Sequence, residues 1–328
     1  TGATDMAAVA DADIVIEAVF EQMDVKAEVF AALDRLAKPD AVLATNTSYL
    51  DVNAIARATA RPARVVGMHF FSPANLMRAL EVVRGADTDP AVLATAVAIG
   101  RKIGKAPVVV GVCHGFVGNR MSRLRSVEAE RLLLEGALPQ DIDAAMTGFG
   151  FPMGPLAAGD LAGLDISWSM RQAQGLRAEI ADALCELGRF GQKTGKGFYL
   201  YEPGSRAPKP DPAVEKLIVE ASARLGVARR PIAKDEIVER LLFPMINEGA
   251  RVLDEGIAAR PGDIDVIWVF GYAFPAWRGG PMHYADTLGL SYVRDRLTEF
   301  AARTGDQHHK PAALLARLAA EGRGFGEA

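Results

Sequence analysis

Through residues 1–112, short apolar runs alternate with stretches whose apolar positions recur every three to four residues. The first pattern fits strands and the second amphipathic helices. In order they predict a strand over Asp13–Phe20, a helix over Val25–Leu36, a strand over Ala41–Thr45 and a short helix near Asn53–Ala58. Strands over Val65–Phe71 and Leu80–Arg84, a helix over Pro90–Ile103 and a strand over Ala106–Val112 follow. Such alternation builds a largely parallel sheet with helices on its faces. The Asp13–Phe20 run is apolar on both sides, the pattern of a strand covered above and below.

Beyond residue 112 the pattern is helical, and it repeats. Arg120, Glu128, Arg131, Glu135 and Gly136 recur as Arg240, Glu248, Arg251, Glu255 and Gly256, each displaced by 120. Asp141-Ile142-Asp143 returns as Asp263-Ile264-Asp265, and Gly148-Phe149-Gly150-Phe151-Pro152 as Gly271-Tyr272-Ala273-Phe274-Pro275. Gly154-Pro155-Leu156 with Asp160 returns as Gly280-Pro281-Met282 with Asp286. Two copies are fewer than a solenoid needs, so the expectation is a pair of related helical domains, 113–201 and 233–328, the second packed on the first. Residues 202–232 join them, and Glu202–Pro212 reads as a Pro-rich, extended linker.

Composition narrows the class. A chain of 328 residues suits two or three domains. Lysine plus arginine number 37 against 41 acidic residues, with no long basic run, which argues against nucleic acid as a partner. Cys113 and Cys185 alone make no disulfide framework and fit a reducing cytoplasm. The longest apolar stretches, such as Ala106–Val112, fall far short of the ~20 residues that a membrane helix requires.

Candidate chemistry centres on His69 in His69-Phe70-Phe71-Ser72-Pro73 and on Glu81, twelve positions later. A carboxylate on one strand and an imidazole at the end of its neighbour can meet across a sheet. The carboxylate then fixes the ring's tautomer and raises its basicity, as a general base requires. Upstream, an apolar strand breaks into Asn46, Thr47 and Ser48; downstream, Gly115-Phe116-Val117-Gly118-Asn119-Arg120 opens a helix. Ligands of open α/β sheets bind beyond the carboxyl ends of the strands, where Ser48 and His69 both fall. Together these motifs resemble the 3-hydroxyacyl-CoA dehydrogenase family over nearly the whole chain.

The resemblance implies an α/β Rossmann-type parallel sheet, its N-terminal part missing, followed by two duplicated all-α domains. It implies His69 as the base on the substrate's 3-hydroxyl, Glu81 as its partner, and Ser48 and Asn119 as hydrogen-bonding residues of the site. It also implies NAD as cofactor and an acyl-CoA as substrate, with Glu21, Lys26 and Asn46 matching positions near the nicotinamide. From residue types alone, Glu21 equally fits the solvated first turn of a helix, that turn is the alternative for Lys26, and Asn46 fits turn chemistry. His114 fits helix-entry packing at the surface, although it lies close to Asn119. Trp277, His283 and Tyr284 fit core or interface packing, and His308 and His309 lie in a polar stretch that reads as solvated. No cluster has metal-ligand spacing.

Two helical copies in one polypeptide resemble the multifunctional β-oxidation enzymes, in which an enoyl-CoA hydratase domain precedes the dehydrogenase part. Val238-Glu239-Arg240 stands where the first copy has Gly118-Asn119-Arg120, so the second copy is expected to be structural, in the place of a dimer partner. No G-x-G-x-x-G turn, the unit that seats a pyrophosphate at a helix N-terminus, occurs between Thr1 and Ala328. The expectation is therefore a natural polypeptide extending upstream, cytoplasmic, or peroxisomal in a eukaryote, with self-association or a thiolase as possible partner. The alternatives are another β-hydroxyacid dehydrogenase, which would rely on a catalytic lysine, and an inactive assembly segment.

Overall fold

The structure is a computed structural model and describes residues 2–327. It divides into two compact units, each containing pieces of both helical copies. The first holds the residues up to Met121, then Ile246–Thr298 and the segment from Lys310 on; the second holds Ser122–Met245 and Glu299–His309.

In the first unit, β1 (Ile14–Glu17), α1 (Met23–Leu36), β2 (Val42–Thr45), α2 (Val52–Ala56) and β3 (Val65–Phe70) follow in turn, then β4 (Ala79–Arg84), α3 (Pro90–Lys102) and β5 (Ala106–Gly111). The five strands form one sheet in sequence order. All neighbours run parallel except β3 and β4, which are antiparallel. Side chains alternate across a sheet: Val66, Met68, Leu80 and Val82 pack on Val92 and Ala96 of α3, which sends His69 and Glu81 to the opposite face. Residue 67, two positions before His69, shares that face, and it is glycine because a Cβ there would stand 2.6 Å from the Cβ of Val83.

The edge strand differs from the sequence expectation. β1 ends at Glu17, and Ile16 is 39% and Phe20 82% exposed, so the run is not covered on both sides. The chain turns out of the sheet around the Glu17 carboxylate, which accepts the Val19 N–H at 2.6 Å. That turn carries the remaining apolar residues off the strand axis.

The helical copies begin with α4 (Gly118–Glu135), α5 (Pro139–Phe149), α6 (Pro155–Ala162), α7 (Leu164–Ala173), α8 (Glu179–Glu186) and α9 (Pro212–Arg224). They continue with α10 (Lys234–Asp254), α11 (Pro261–Gly271), α12 (Pro281–Leu288), α13 (Leu290–Thr304) and α14 (Ala313–Glu321). The duplication extends to hydrogen bonding. Asp143 accepts the first amides of α6, from Leu156 and Ala157, and Asp265 accepts those of α12, from Met282 and His283. A Cβ on Gly154 or Gly280 would lie 2.2 or 2.4 Å from that aspartate, so a side chain is excluded at both positions. Asp160 likewise holds the amides of Phe198 and Tyr199, and Asp286 those of Phe325 and Gly326.

The long helices exchange charges reciprocally. In the first unit Arg120 of α4 binds Glu248 (2.6 Å) and Glu255 (2.6 Å) of α10. In the second unit Arg240 of α10 binds Glu128 (2.9 Å) and Glu135 (2.5 Å) of α4. Each arginine therefore pairs with the glutamates of the other copy, so contact between the copies is specified by charge as well as by apolar surface.

Three sequence expectations need correction. His309 is fully buried, with Nδ1 2.9 Å from the Thr304 hydroxyl and Nε2 3.3 Å from Glu128. The Nε2–Glu128 approach is within ion-pair distance but outside hydrogen-bond geometry, so the Thr304 hydroxyl is the ring's hydrogen-bond partner. Trp277 is 73% exposed with the Arg278 guanidinium stacked on it at 4.1 Å, and His283 is exposed, so of core or interface packing the first does not hold for either. The linker is not simply extended: Leu200 and Lys209 exchange both backbone hydrogen bonds across a turn at Gly204, whose φ of 79° suits glycine.

Candidate active site

β3 delivers His69 near its carboxyl end, opposite Glu81 in the antiparallel register. Directly opposed residues share a face, and here His69 Nδ1 lies 2.7 Å from Glu81 Oε2. The other oxygen, Oε1, accepts the backbone N–H groups of Val117 (3.0 Å) and Gly118 (2.9 Å), where α4 begins. The start of a helix presents free N–H groups and partial positive charge, which favours an anion. Glu81 is 0% exposed, and these contacts are what allow a carboxylate there. An ionised carboxylate accepts and does not donate, so Nδ1 carries the ring proton and Nε2 keeps a lone pair. Phe71 and Phe116, with ring centroids 5.0 and 5.7 Å from the imidazole, border the ring.

The turn into α4 is built for that carboxylate. Gly115 (φ 73°) and Phe116 (φ 47°) both adopt left-handed backbone, which costs a non-glycine residue about 1–2 kcal/mol. Complete burial of the Phe116 ring and the two amides on Glu81 offset that cost.

Asn119 follows at once, half-buried, and its Oδ1 accepts the hydroxyl of Tyr272 at 2.7 Å. Ser48 stands after β2, half-buried, its backbone N–H donating to Glu21 Oε1 at 2.8 Å. Among the described residues no hydrogen bond joins Ser48 or Asn119 directly to His69. His114 is exposed, its ring 5.2 Å from that of Tyr49, outside the dyad.

Glu21 and Lys26 are not a freely solvated helix turn. Lys26 is 1% exposed; its ammonium lies 2.7 Å from Glu17 and 3.5 Å from Glu21. Glu21 Oε1 gathers the Thr47 hydroxyl (2.6 Å) and the Ser48 and Tyr49 amides (2.8 and 2.9 Å). Burial opposes its ionisation, but these donors, with Lys26, outweigh it and hold its carboxyl below the usual range. Asn46 ties two strand ends together, its Oδ1 accepting the Phe70 N–H at 2.8 Å. Sequence reasoning missed Glu17, buried and bonded to Lys26 and to the Thr45 hydroxyl at 2.8 Å, and it missed Tyr272. A glutamate closing an apolar strand nine residues before a lysine was a legible signal for the first; nothing local marked the second.

The polar groups at these strand ends include both donors and acceptors. Asn46 and Ser48 follow β2 and Glu21 follows β1, at the ends of strands next to the one that carries His69, and amide, hydroxyl and carboxylate groups are of the kind that a carboxamide and a ribose require. The residues for a pyrophosphate are of another kind, and the sequence contains no glycine-rich turn for one.

Residues 1–113 match the family model described as 3-hydroxyacyl-CoA dehydrogenase, NAD binding domain; residues 115–201 and 237–327 match the C-terminal domain of the same family. The chain belongs to the 3-hydroxyacyl-CoA dehydrogenase family. It is 46% identical to the peroxisomal bifunctional enzymes of Cavia porcellus and Homo sapiens, over 97% and 94% of its own length and 47% and 46% of theirs. The chain thus spans about half the length of the curated relatives it matches. Among solved structures it resembles 3-hydroxybutyryl-CoA dehydrogenase from Escherichia coli (TM-score 0.82, 27% identity, covering 98% of this chain and 84% of that one). It also resembles the dehydrogenase part of multifunctional enzyme 1 from C. elegans (TM-score 0.71, 33% identity, 96% and 73%).

Proposed function

We propose that this chain oxidises (S)-3-hydroxyacyl-CoA to 3-ketoacyl-CoA with NAD in fatty-acid β-oxidation. The observation that carries the reading is the buried His69–Glu81 pair, whose carboxylate is fixed by the first amides of α4. His69 Nε2 takes the proton of the 3-hydroxyl. The imidazolium so formed is balanced by Glu81, and Glu81 by the Val117 and Gly118 amides, so charge appears where partners already stand. Ser48 and the Asn119 amide nitrogen hydrogen-bond the reacting oxygen. NAD, when bound, supplies the acceptor for the hydride leaving C3. A base of this kind accelerates the step typically ~10²–10⁴-fold. Asn46 holds the nicotinamide end, while Glu21 and Lys26 set the Thr47–Tyr49 loop beside it.

The test is oxidation of NADH by acetoacetyl-CoA with the intact enzyme; no acetoacetyl-CoA-dependent loss of NADH absorbance would refute the reading. We divide the chain into a nucleotide domain (1–112), a first helical domain (113–201), a linker with its helix (202–232) and a second helical domain (233–328). No helix among the described residues is long and apolar enough to cross a membrane. For the whole polypeptide, the names of the relatives support a peroxisomal address in a eukaryotic host. Enoyl-CoA hydratase activity elsewhere in the polypeptide is testable by crotonyl-CoA hydration, and association with itself or a thiolase by sedimentation.

A further inference from the structure

The two helical copies differ at one aromatic position that touches the site. Phe149 ends α5 in the first copy, and Tyr272 stands at the matching position after α11 in the second. Phe149 is buried and stacks on Phe151 at 5.9 Å. Tyr272 has a comparable aromatic setting, stacked on Trp268 at 4.4 Å and edge-on to Phe71 at 5.4 Å. Phenylalanine therefore serves the packing at this position of the repeat. Tyrosine adds a hydroxyl, and that hydroxyl donates to Asn119 Oδ1 at 2.7 Å.

The ring also lies against the first turn of α4. A Cβ on Gly118 would stand 2.9 Å from Tyr272 Cε2 and 3.0 Å from Phe71 Cζ. Tyr272 thus meets the same turn whose amides hold Glu81, and it borders Phe71, the neighbour of the His69 ring. An amide offers an acceptor oxygen and a donor nitrogen. With Oδ1 engaged, Asn119 is fixed in one rotamer and its nitrogen is the group left to donate. Donation into the oxygen polarises the amide and strengthens that nitrogen as a donor.

We propose that Tyr272 is a positioning residue of the dehydrogenase site, holding Asn119 so that its amide nitrogen meets the reacting oxygen. The second helical copy then completes the site and is not only a structural partner. This rests on the function proposed above.

The experiment is Tyr272→Phe in the intact enzyme, alone and combined with Asn119→Ala, using acetoacetyl-CoA and NADH. Phenylalanine keeps the ring that the first copy shows to be compatible with this position, so the melting temperature should hold. The kcat should fall roughly two- to tenfold, the worth of one hydrogen bond, with KM for acetoacetyl-CoA unchanged. In the Asn119→Ala background Tyr272→Phe should have no further effect. A crystal structure of Tyr272→Phe should show the Asn119 side chain in more than one rotamer. Unchanged kcat, an equal loss in the Asn119→Ala background, or a single unmoved Asn119 rotamer would each overturn the proposal. Absence of turnover in the wild-type enzyme would instead refute the dehydrogenase reading itself, and the role of Tyr272 with it.

Discussion

Replacing Glu81 by glutamine changes one atom and should disable the base. The side chain is 0% exposed and its two oxygens have different duties. One accepts the Val117 and Gly118 amides, the other faces His69 Nδ1. Glutamine can keep only one of these arrangements. If its oxygen stays on the two amides, its NH2 faces Nδ1, and the imidazole must place its proton on Nε2, the nitrogen that has to be free. If the amide flips, its NH2 opposes two buried N–H donors, each left unsatisfied at about 1–3 kcal/mol. The first arrangement therefore wins by about 2–6 kcal/mol, leaving at most a few per cent of the enzyme in the competent tautomer. Even that fraction lacks the anion that balances the imidazolium. Oxidation of 3-hydroxybutyryl-CoA by NAD, the direction in which Nε2 must accept a proton, should fall ~10²–10⁴-fold, with little change in KM and no loss of folded protein by circular dichroism. Turnover within about threefold of wild type, against the loss expected for a missing base, would refute the tautomer argument and the role of Glu81.

Other perturbations probe separate parts of the molecule. His69→Gln should lower kcat by at least ~10²-fold while KM for acetoacetyl-CoA changes far less, since the ring acts on the transferred proton; near-normal turnover would remove His69 from the chemistry. Arg240→Ala takes from buried Glu128 the closer of its two guanidinium partners, leaving Arg131 at 3.2 Å, and also releases Glu135, and should destabilise the protein by about 3 kcal/mol, read from urea unfolding; a loss below about 1 kcal/mol, the range of exposed pairs, would show the reciprocal charges to be incidental. Burial pushes the Asp265 carboxyl up to about 7, against the lowering effect of the Met282 and His283 amides. The folded chain then holds a proton that the unfolded chain releases, so this group's contribution to stability falls as pH rises from about 4 to about 7. Asp265→Asn should remove that slope from the unfolding free energy, and wild-type and variant curves that run parallel across the window would contradict it.

Much of the scaffold was legible because burial is periodic along strands and helices. The α/β alternation over residues 1–112 and the copied helical pattern both follow from where apolar residues recur. The twelve-residue spacing of His69 and Glu81 brought them together because β3 and β4 run antiparallel, which makes the pair direct cross-strand neighbours. Other features lay outside any local pattern. His309 looks solvated in sequence and nothing local marks Lys26 or Arg240 as buried, yet all three are buried, each beside a glutamate nine or more positions away. A charge can leave water only where a partner waits, and that partner is chosen by the packing of distant segments. Phe20 shows the reverse, an apolar residue that falls outside β1 because the strand ends at Glu17. The offset of 120 revealed the matching arginines and glutamates, but their pairing across copies depended on which helix halves lie together. Tyr272 reaches Asn119 across 153 positions. Sequence periodicity fixes which face of an element is buried; only the assembled packing decides which polar groups on separate elements come within hydrogen-bond distance.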